Sequence, residues 1–484
     1  MDSDTDVSNT VLITVDSLRA DAISPYSEAG QTPTLASLAD RGTVFENAFA
    51  TGNWTPFSFP AMLASRPVFA DTGRIGVDSS PTLPRVLADS GVATGGFNAA
   101  NGFLTSHWGY DDGFDAFEPF VASVGSSIYS RYLATHPTLE AWVQLATSPI
   151  RRVKSWLSGD ADDRPFLDTS RMFDIEQGAT EFIEAREDDD QPFFLWIHYM
   201  DPHTPYVPAP RYIRAVSDDT VGTHRMLRAH ARTAFGLEVG PQTLADLRML
   251  YQAAVTQVDA SIGRLLETLS ATGHDDDTAV IVAGDHGEEF QEHGHLAHYP
   301  KLYDELIRVP LIVDLPGSDA RRIDQPVGLD ALPPTIADCF GVDAPEVWTG
   351  ESLVATVREG AAPTDTPIVS VAVRGEEVTT QPIPRSLADG DLLVSVRDEQ
   401  WLYTENTETG AIELYDRQQD PTQQDELCAK QGGLSADAQQ AHDRFSEIAA
   451  EHAAMLSAAA DNDTAGDDAV DEELETRLAA LGYR

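Results

Sequence analysis

The sequence predicts an α/β fold, a sheet flanked by helices, followed after about residue 365 by a smaller antiparallel sheet. Three observations predict it. Short β-branched or aromatic runs alternate with helical patterns along most of the chain. At 484 residues and 42% hydrophobic content, the chain can build a large core and a lesser domain. Three of the apolar runs also stop abruptly at polar, reactive segments, where open α/β sheets place their ligand crevice.

Residues 11–15 form a short apolar run stopped by Asp16-Ser17 and read as a buried strand. Thr32, with Pro33 in the first turn and Leu35, Leu38 and Ala39 behind, reads as the cap of a helix. Residues 92–97 and 193–199 read as core strands. Residues 247–269 carry Leu250, Ala254, Val258, Ile262, Leu265, Leu266 and Leu269 at helical spacing, which predicts a long amphipathic helix. Residues 278–283 are a further strand, stopped by Gly284-Asp285-His286-Gly287, and 309–313 are another. About 120–190 the chain is less regular. This insertion holds a basic cluster, Arg151-Arg152 and Lys154, which could contact an anionic substrate or lipid but reads more readily as a helix face paired to nearby acids.

Beyond residue 365, the runs 369–373, 391–396, 399–403 and 412–415, with a turn at Thr409-Gly410, read as antiparallel strands. Residues 435–460 are alanine-rich and helical, with Ser435 as N-cap. An acidic linker at 461–471 and a last short helix complete the chain. The organisation expected is a catalytic domain at 1–365 with the insertion at about 120–190, a small sheet subdomain at 366–434, and a helical acidic tail at 435–484.

The formal net charge is −47, and of the 32 basic residues only Lys154, Lys301 and Lys430 are lysine. Acid spread along the whole chain with so little lysine reads as adaptation to high salt, where repulsion is screened. Such a charge argues against nucleic-acid binding, which needs a basic footprint. Cys339 and Cys428 make no disulfide framework, and Cys339 is expected as a buried helical thiol. The acidic start, Met1 to Asp6, lacks the basic and apolar regions of a secretory signal, and no apolar window is long enough to span a membrane. A cytoplasmic protein is expected.

Asp16, Asp285 and His286 form a ligand set suited to one divalent ion such as Ca²⁺, Mg²⁺, Mn²⁺ or Zn²⁺. Gly284 and Gly287 are expected to let the backbone bend sharply enough for Asp285 and His286 to face one ion. His293, His295 and His298 fall within six residues of a chain holding 13 histidines, a density hard to explain as solvated surface. His203, between Pro202 and Pro205 beyond the strand 193–199, suits leaving-group protonation or oxyanion contact. His198 lies inside that strand and could equally be a core histidine. Thr51, Thr55 and Ser58 each offer a hydroxyl that a divalent ion could activate, and the residues alone do not choose among them.

Several of these segments resemble one family. Residues 11–21, Thr32-Pro33-Thr34-Leu35 and residues 45–50 are similar to the opening of the sulfatases of the alkaline-phosphatase superfamily. Asp201-Pro202-His203-Thr204-Pro205-Tyr206 resembles the family's central histidine loop. Gly284-Asp285-His286-Gly287-Glu288, Glu292-His293-Gly294 and residues 302–312 resemble its second metal motif and the strand that follows. Residues 412–416 with Asp420-Pro421 resemble its C-terminal motif, so the likeness runs in order from about 10 to 428.

The resemblance implies a three-layer sandwich around a central mixed sheet, with Asp16, Asp285 and His286 as metal ligands and His203 as a substrate or leaving-group contact. It places Thr55 at the family's nucleophile position, where sulfatases carry a cysteine or serine, followed closely by proline and arginine, that is converted to formylglycine. Here the cysteine and the arginine are missing, Ser17 replaces a second aspartate, and His298 stands about where a sulfate-binding lysine is usual. Threonine cannot become formylglycine. It resembles instead the phosphodiesterase and phosphoglycerol-transferase relatives of the superfamily.

The expectation is thus a metal-dependent hydrolase acting on a small-molecule or glycan sulfate or phosphate ester through a covalent Thr55 intermediate, with phosphate favoured. Catalysis falls to Thr55, His203 and His298, and substrate binding to Arg19, Asn101, His293 and His295. Arg19 could equally form a surface salt bridge, and Asn101 could be an ordinary turn residue. The alternatives are a transferase that moves the group onto a glycan and a non-catalytic binding protein of the same fold.

The charge makes stability salt-dependent. Between about 0.01 M and 1 M salt the Debye length falls from roughly 30 Å to 3 Å, so the melting temperature followed by circular dichroism should climb steeply over that range. A flat profile would detach the acidity from salt.

Overall fold

The computed structural model describes residues 7–461 apart from 78–79, 100, 121–170, 188–190, 218–224, 226–227, 230–238, 375–383 and 431–432. The basic cluster Arg151-Arg152-Lys154 and the chain after Asp461 therefore lie outside the described residues. Among the described residues no helix is long and apolar enough to cross a membrane.

Strands β1 (Asn9–Val15), β5 (Phe193–Tyr199) and β6 (Thr278–Gly284) are buried along their whole lengths. Such unbroken apolar runs suit parallel strands covered on both faces. They form the centre of a nine-stranded mixed sheet. Its path runs β10 (Arg321–Ile323), β2 (Thr43–Phe49), β9 (Arg308–Asp314), β6, β1, β5, β3 (Ala93–Asn98), β4 (Ala116–Glu118), with β11 (Val327–Gly328) also on β2, while the short β7 (Glu289–Phe290) and β8 (Leu296–Ala297) pair only with each other among the described residues. β1 is parallel to both β5 and β6, while β9 runs antiparallel to β6 and β2.

Alternation along the strands feeds two cores. Leu12, Trp196 and Ile281 join one core, and Ile13, Ile197, Val280 and Val282 join the other. Helix α1 (Pro33–Ala39) covers the second face with two other helices. One is α3 (Met172–Glu184), which is regular although it falls in the stretch expected to be irregular. The other is α4 (Pro241–Ala271), which buries Leu250, Val258, Ile262, Leu265 and Leu269 at the expected spacing. Thr32 does not cap α1: its hydroxyl bonds Ser24, and the distant Asp259 carboxylate accepts the Thr34 and Leu35 N–H groups at 3.1 and 2.8 Å.

The first face is covered by α2 (Thr55–Ala64), whose ten residues are all buried. A helix buried on every side has no polar face to mark its period, so no amphipathic pattern announces it. Cys339, expected buried, ends a short helix and is only half-buried.

The second sheet is antiparallel, in the order β12 (Ile368–Arg374), β13 (Asp391–Arg397), β14 (Trp401–Asn406), β15 (Ala411–Asp416). β14 starts at Trp401, later than expected, because the Asp398 carboxylate takes the Gln400 and Trp401 N–H groups in a turn. Helix α5 (Ala436–Asp461) lays Ala438, Ala441, Phe445, Ala449 and Leu456 inward, with the Ser435 hydroxyl accepting the Ala438 N–H at 3.2 Å.

Asp304 ties this sheet to the first. It accepts from Arg397 at 3.0 Å and from Arg417 at 2.9 Å, and the two guanidiniums are 0% and 7% exposed. Both lie over the Phe49 ring of β2, at 4.9 and 4.8 Å. Removing the carboxylate would strand two buried cations. Asp304→Ala should therefore cost about 3–5 kcal/mol, read as a lower urea midpoint in molar salt. An unchanged midpoint would deny the anchor.

Candidate functional site

Register builds the site. Val15 stands opposite both Tyr199 and Gly284, so the chain leaves β1, β5 and β6 at one level. The next residues, Asp16 and Asp285, emerge side by side, with Asp16 N–H donating to Tyr199 O at 2.8 Å and Asp285 N–H donating to Val15 O at 3.2 Å. Both carboxylates are fully buried.

Ser17 turns the chain with a φ of +57°, donates its N–H to Asp285 Oδ1 at 3.1 Å, and gives its hydroxyl hydrogen to Asp16 Oδ1 at 2.8 Å. The glycines act differently from expectation. Neither Gly284 nor Gly287 has positive φ; each instead admits a close backbone. A Cβ on Gly284 would sit 2.6 Å from Leu18 O, and one on Gly287 only 2.0 Å from Glu305 O.

Thr55 is the first residue of α2, 3% exposed, and its Oγ1 lies 3.3 Å from Asp16 Oδ2. The other two hydroxyls turn away. Ser58 donates to Gly52 O at 2.9 Å, and Thr51 leans on Phe57 O at 3.5 Å. Of the three candidates, only Thr55 reaches the carboxylates, and it does so at a helix N-terminus, where negative charge is favoured.

His286 donates Nδ1–H to Gly287 O at 2.9 Å, which leaves Nε2 facing Asp16 Oδ1 at 3.5 Å and Asp285 Oδ1 at 3.9 Å. His198, ambiguous in the sequence, joins the site. One ligand atom each from Asp16, His198 and Asp285 lie within 4.8 Å of one another.

His203 donates Nδ1–H to Thr204 O at 2.6 Å, and its ring centre is 5.1 Å from that of His298. His298 in turn lies 5.2 Å from His286 and turns Nδ1 toward Glu288 Oε2 at 3.4 Å. Trp54 Nε1–H donates to His298 O at 2.7 Å, fastening this loop to the start of α2. Glu288, missed as a site residue, is fully buried and also accepts the Tyr206 hydroxyl. It stands in the Gly284–Glu288 motif, where the ligands drew attention away from it.

The other expected contacts have other partners. Arg19 grips Asp21 through two bonds of 2.8 and 2.7 Å and reaches Glu292 and Glu288 O at 2.9 and 2.8 Å. Its salt-bridge reading is the one the structure adopts. Both ring nitrogens of His293 are engaged, by Glu305 and by Gln423 O, and its ring stacks on Tyr303 at 3.6 Å. His295 stacks on Tyr299 at 3.6 Å. Buried Asn101 accepts the Phe103 N–H at 3.0 Å as a turn residue, while its Nδ2 has no hydrogen-bond partner among the described residues.

Electrostatics call for a cation. Burial raises the pKa of Asp16, helped by repulsion from Asp285. Burial also pushes Asp285 up to about 7, against the hydrogen bonds it accepts from the backbone N–H groups of Ser17 and His286. Desolvation lowers His286, drives His298 well below its ordinary value, and takes His198 down to about 3, so these rings are neutral. Two buried carboxylates lie side by side against imidazoles whose charged form burial disfavours, and Asp285 Oδ2 has no hydrogen-bond donor among the described residues. The donor set therefore fits a divalent ion.

Comparison with known proteins gives a consistent picture. Residues 8–342 match the family model described as Sulfatase. Over 471 residues the chain is 25% identical to the choline-sulfatase of Rhizobium meliloti, covering 88% of this chain and 83% of that one. It is 29% identical to the uncharacterized sulfatase YidJ of Escherichia coli, but over 37% of this chain and 38% of that protein. The phosphonate monoester hydrolase of Agrobacterium radiobacter has the same fold, with a TM-score of 0.67 at 19% identity over 93% of this chain and 96% of that one.

The close contact at Gly287 makes a direct test of the turn. Gly287→Ala must displace the Glu305 backbone and with it His286, at a cost of about 1–3 kcal/mol. Divalent-ion affinity measured by calorimetry should fall with the melting temperature. Unaltered affinity and stability would show that the turn tolerates a side chain.

Proposed function

Because the chain belongs to the sulfatase family of ester hydrolases, we propose that it cleaves a phosphate ester or phosphodiester through a covalent Thr55 intermediate. The observation that carries the reading is the buried Thr55 hydroxyl, 3.3 Å from Asp16 Oδ2 at the start of α2. Threonine closes the formylglycine route, which removes the usual chemistry of sulfate-ester cleavage.

Asp16, Asp285 and His286 would hold the divalent ion. Bound there, it would acidify the nucleophile and neutralise charge on the ester oxygens. The Thr55 proton passes to the adjoining carboxylate as Oγ1 attacks phosphorus and the bond to the leaving alcohol breaks. The N-terminus of α2 stabilises the negative charge gathered beside Oγ1. His203, with His298 packed against it at 5.1 Å between ring centres, is the group placed to give the departing alkoxide its proton and to take one back from the water that follows. Water then attacks the phosphothreonine, the phosphorus–Oγ1 bond breaks, and Thr55 recovers its hydrogen. The buried surroundings keep water from the nucleophile until the ester binds.

Thr55→Ala should leave folding and metal content intact and lower kcat/KM by at least about a thousandfold, roughly 4 kcal/mol in the barrier. Thr55→Ser should retain substantial activity. Assays on aryl phosphate, phosphodiester and sulfate esters in molar salt, with mass spectrometry of acid-quenched protein, check this. Full activity in Thr55→Ala, or a trapped adduct on a peptide lacking residue 55, would sink the mechanism. A clear preference for sulfate esters would sink the substrate class.

A further inference from the structure

His198 is fully buried near the end of β5, in register with Thr14 of β1. Phe59 meets its ring edge-to-face at 5.0 Å and Trp196 lies 6.3 Å away. An imidazole in so apolar a wall is costly unless both nitrogens are satisfied. Nδ1 lies 3.0 Å from Thr14 Oγ1.

The surroundings of that hydroxyl fix the ring's tautomer. Trp196 Nε1, 3.0 Å from Thr14 Oγ1, can only donate, and the Ile197 carbonyl, 3.2 Å away, can only accept. A hydroxyl has one hydrogen and two lone pairs. Its hydrogen goes to Ile197 O, one lone pair takes the Trp196 N–H, and the other remains for His198. All three contacts hold together only if His198 carries its hydrogen on Nδ1. Its Nε2 is then a bare lone pair.

Among the described residues that nitrogen has no hydrogen-bond partner, and it faces Asp16 Oδ2 at 4.0 Å. The Gly287 carbonyl fixes His286 in the same tautomer, so its Nε2 also turns a lone pair toward Asp16 and Asp285. Asp16, His198 and Asp285 thus bring one ligand atom each within 4.8 Å of one another, and the His286 lone pair lies beside the same two carboxylates. Acceptors facing acceptors repel, and a cation among them turns each into a ligand.

We infer that His198 binds the divalent ion directly through Nε2, so that the site offers two carboxylates and two imidazoles. This rests on the placement of the ion between Asp16 and Asp285 proposed above. It deepens that placement by naming the class of ion: calcium and magnesium take oxygen ligands, whereas imidazole nitrogen favours zinc and similar transition ions. The backing of His198 by Thr14, with Trp196 behind it, is the kind of outer support that orients a metal-bound histidine.

The test uses the full chain in molar salt, stripped by chelation and titrated calorimetrically with zinc and with calcium. His198→Asn keeps a donor near the place of Nδ1 but cannot reach the ion. It should weaken zinc binding by about 100-fold and leave calcium binding nearly unchanged. His198→Gln, which puts an oxygen near the place of Nε2, should narrow the preference for zinc. Pulsed electron paramagnetic resonance on Cu²⁺-loaded protein counts imidazoles directly. Wild type should show two, and His286→Asn one, a readout that stands even if the His198 variants fail to fold. Undiminished zinc affinity in a folded His198→Asn protein, or a single imidazole in wild type that vanishes in His286→Asn, would overturn the inference and leave the ion between the aspartates. Loss of nothing in Asp285→Asn, or no ion bound by wild type, would overturn the placement itself and the inference with it.

Discussion

Two carboxylates held in a dry interior, one residue past the ends of adjacent parallel strands, are the constraint around which this protein is built. Unit charges a few ångströms apart repel strongly once water is excluded. Asp16 and Asp285 are both fully buried, and burial is the largest cause of the rise in their pKa values. The β1–β6 register forces them together, because the strands are buried on both faces and a slip of one residue would turn every side chain to the wrong core. The pair belongs to a donor set that fits a positive ion, which would relieve the repulsion.

Much of the surrounding structure keeps this arrangement rigid. Gly284 and Gly287 let neighbouring backbone close to distances that no side chain permits. Arg19 clamps Asp21, Glu292 and the Glu288 carbonyl, holding the segment that carries Glu288 against the turn after β1. The indole of Trp54 ties the His298 loop to the helix that starts with Thr55, which holds the two segments together. Farther out, His293 joins Glu305 to the Gln423 carbonyl, and Asp304 joins Arg397 and Arg417. These contacts make the C-terminal sheet part of the frame behind the site. The histidine density of the sequence thus has two sources: His298 packs beside His203 and His286, while His293 and His295 stack on Tyr303 and Tyr299.

The legible parts of the sequence were those governed by local pattern. Apolar runs marked β1, β5 and β6, and the spacing of Leu250, Val258, Ile262, Leu265 and Leu269 marked the long helix. Patterning failed wherever a distant partner decides the outcome. Helix α2 has no polar face because the fold covers it on every side. The start of α1 is capped by Asp259, more than two hundred residues away, rather than by the adjacent Thr32. Gly287 is a glycine because Glu305 approaches it, which backbone angles alone do not reveal.

By itself the sequence determined which side chains leave the ends of the core strands, and so it named Asp16, Asp285 and His286 and the family likeness that joins them. Strand ends follow from hydrophobic run length, a local property. Long-range packing, which no local pattern encodes, selects the hydroxyl that meets the carboxylates, pairs Arg19 with Asp21 and Glu292, and turns His198 toward the aspartates rather than into an inert core. A strand's alternation fixes that neighbouring side chains point to opposite sides. What waits on each side is set by register with β1 and by α2, elements that the chain brings to His198 from more than a hundred residues away.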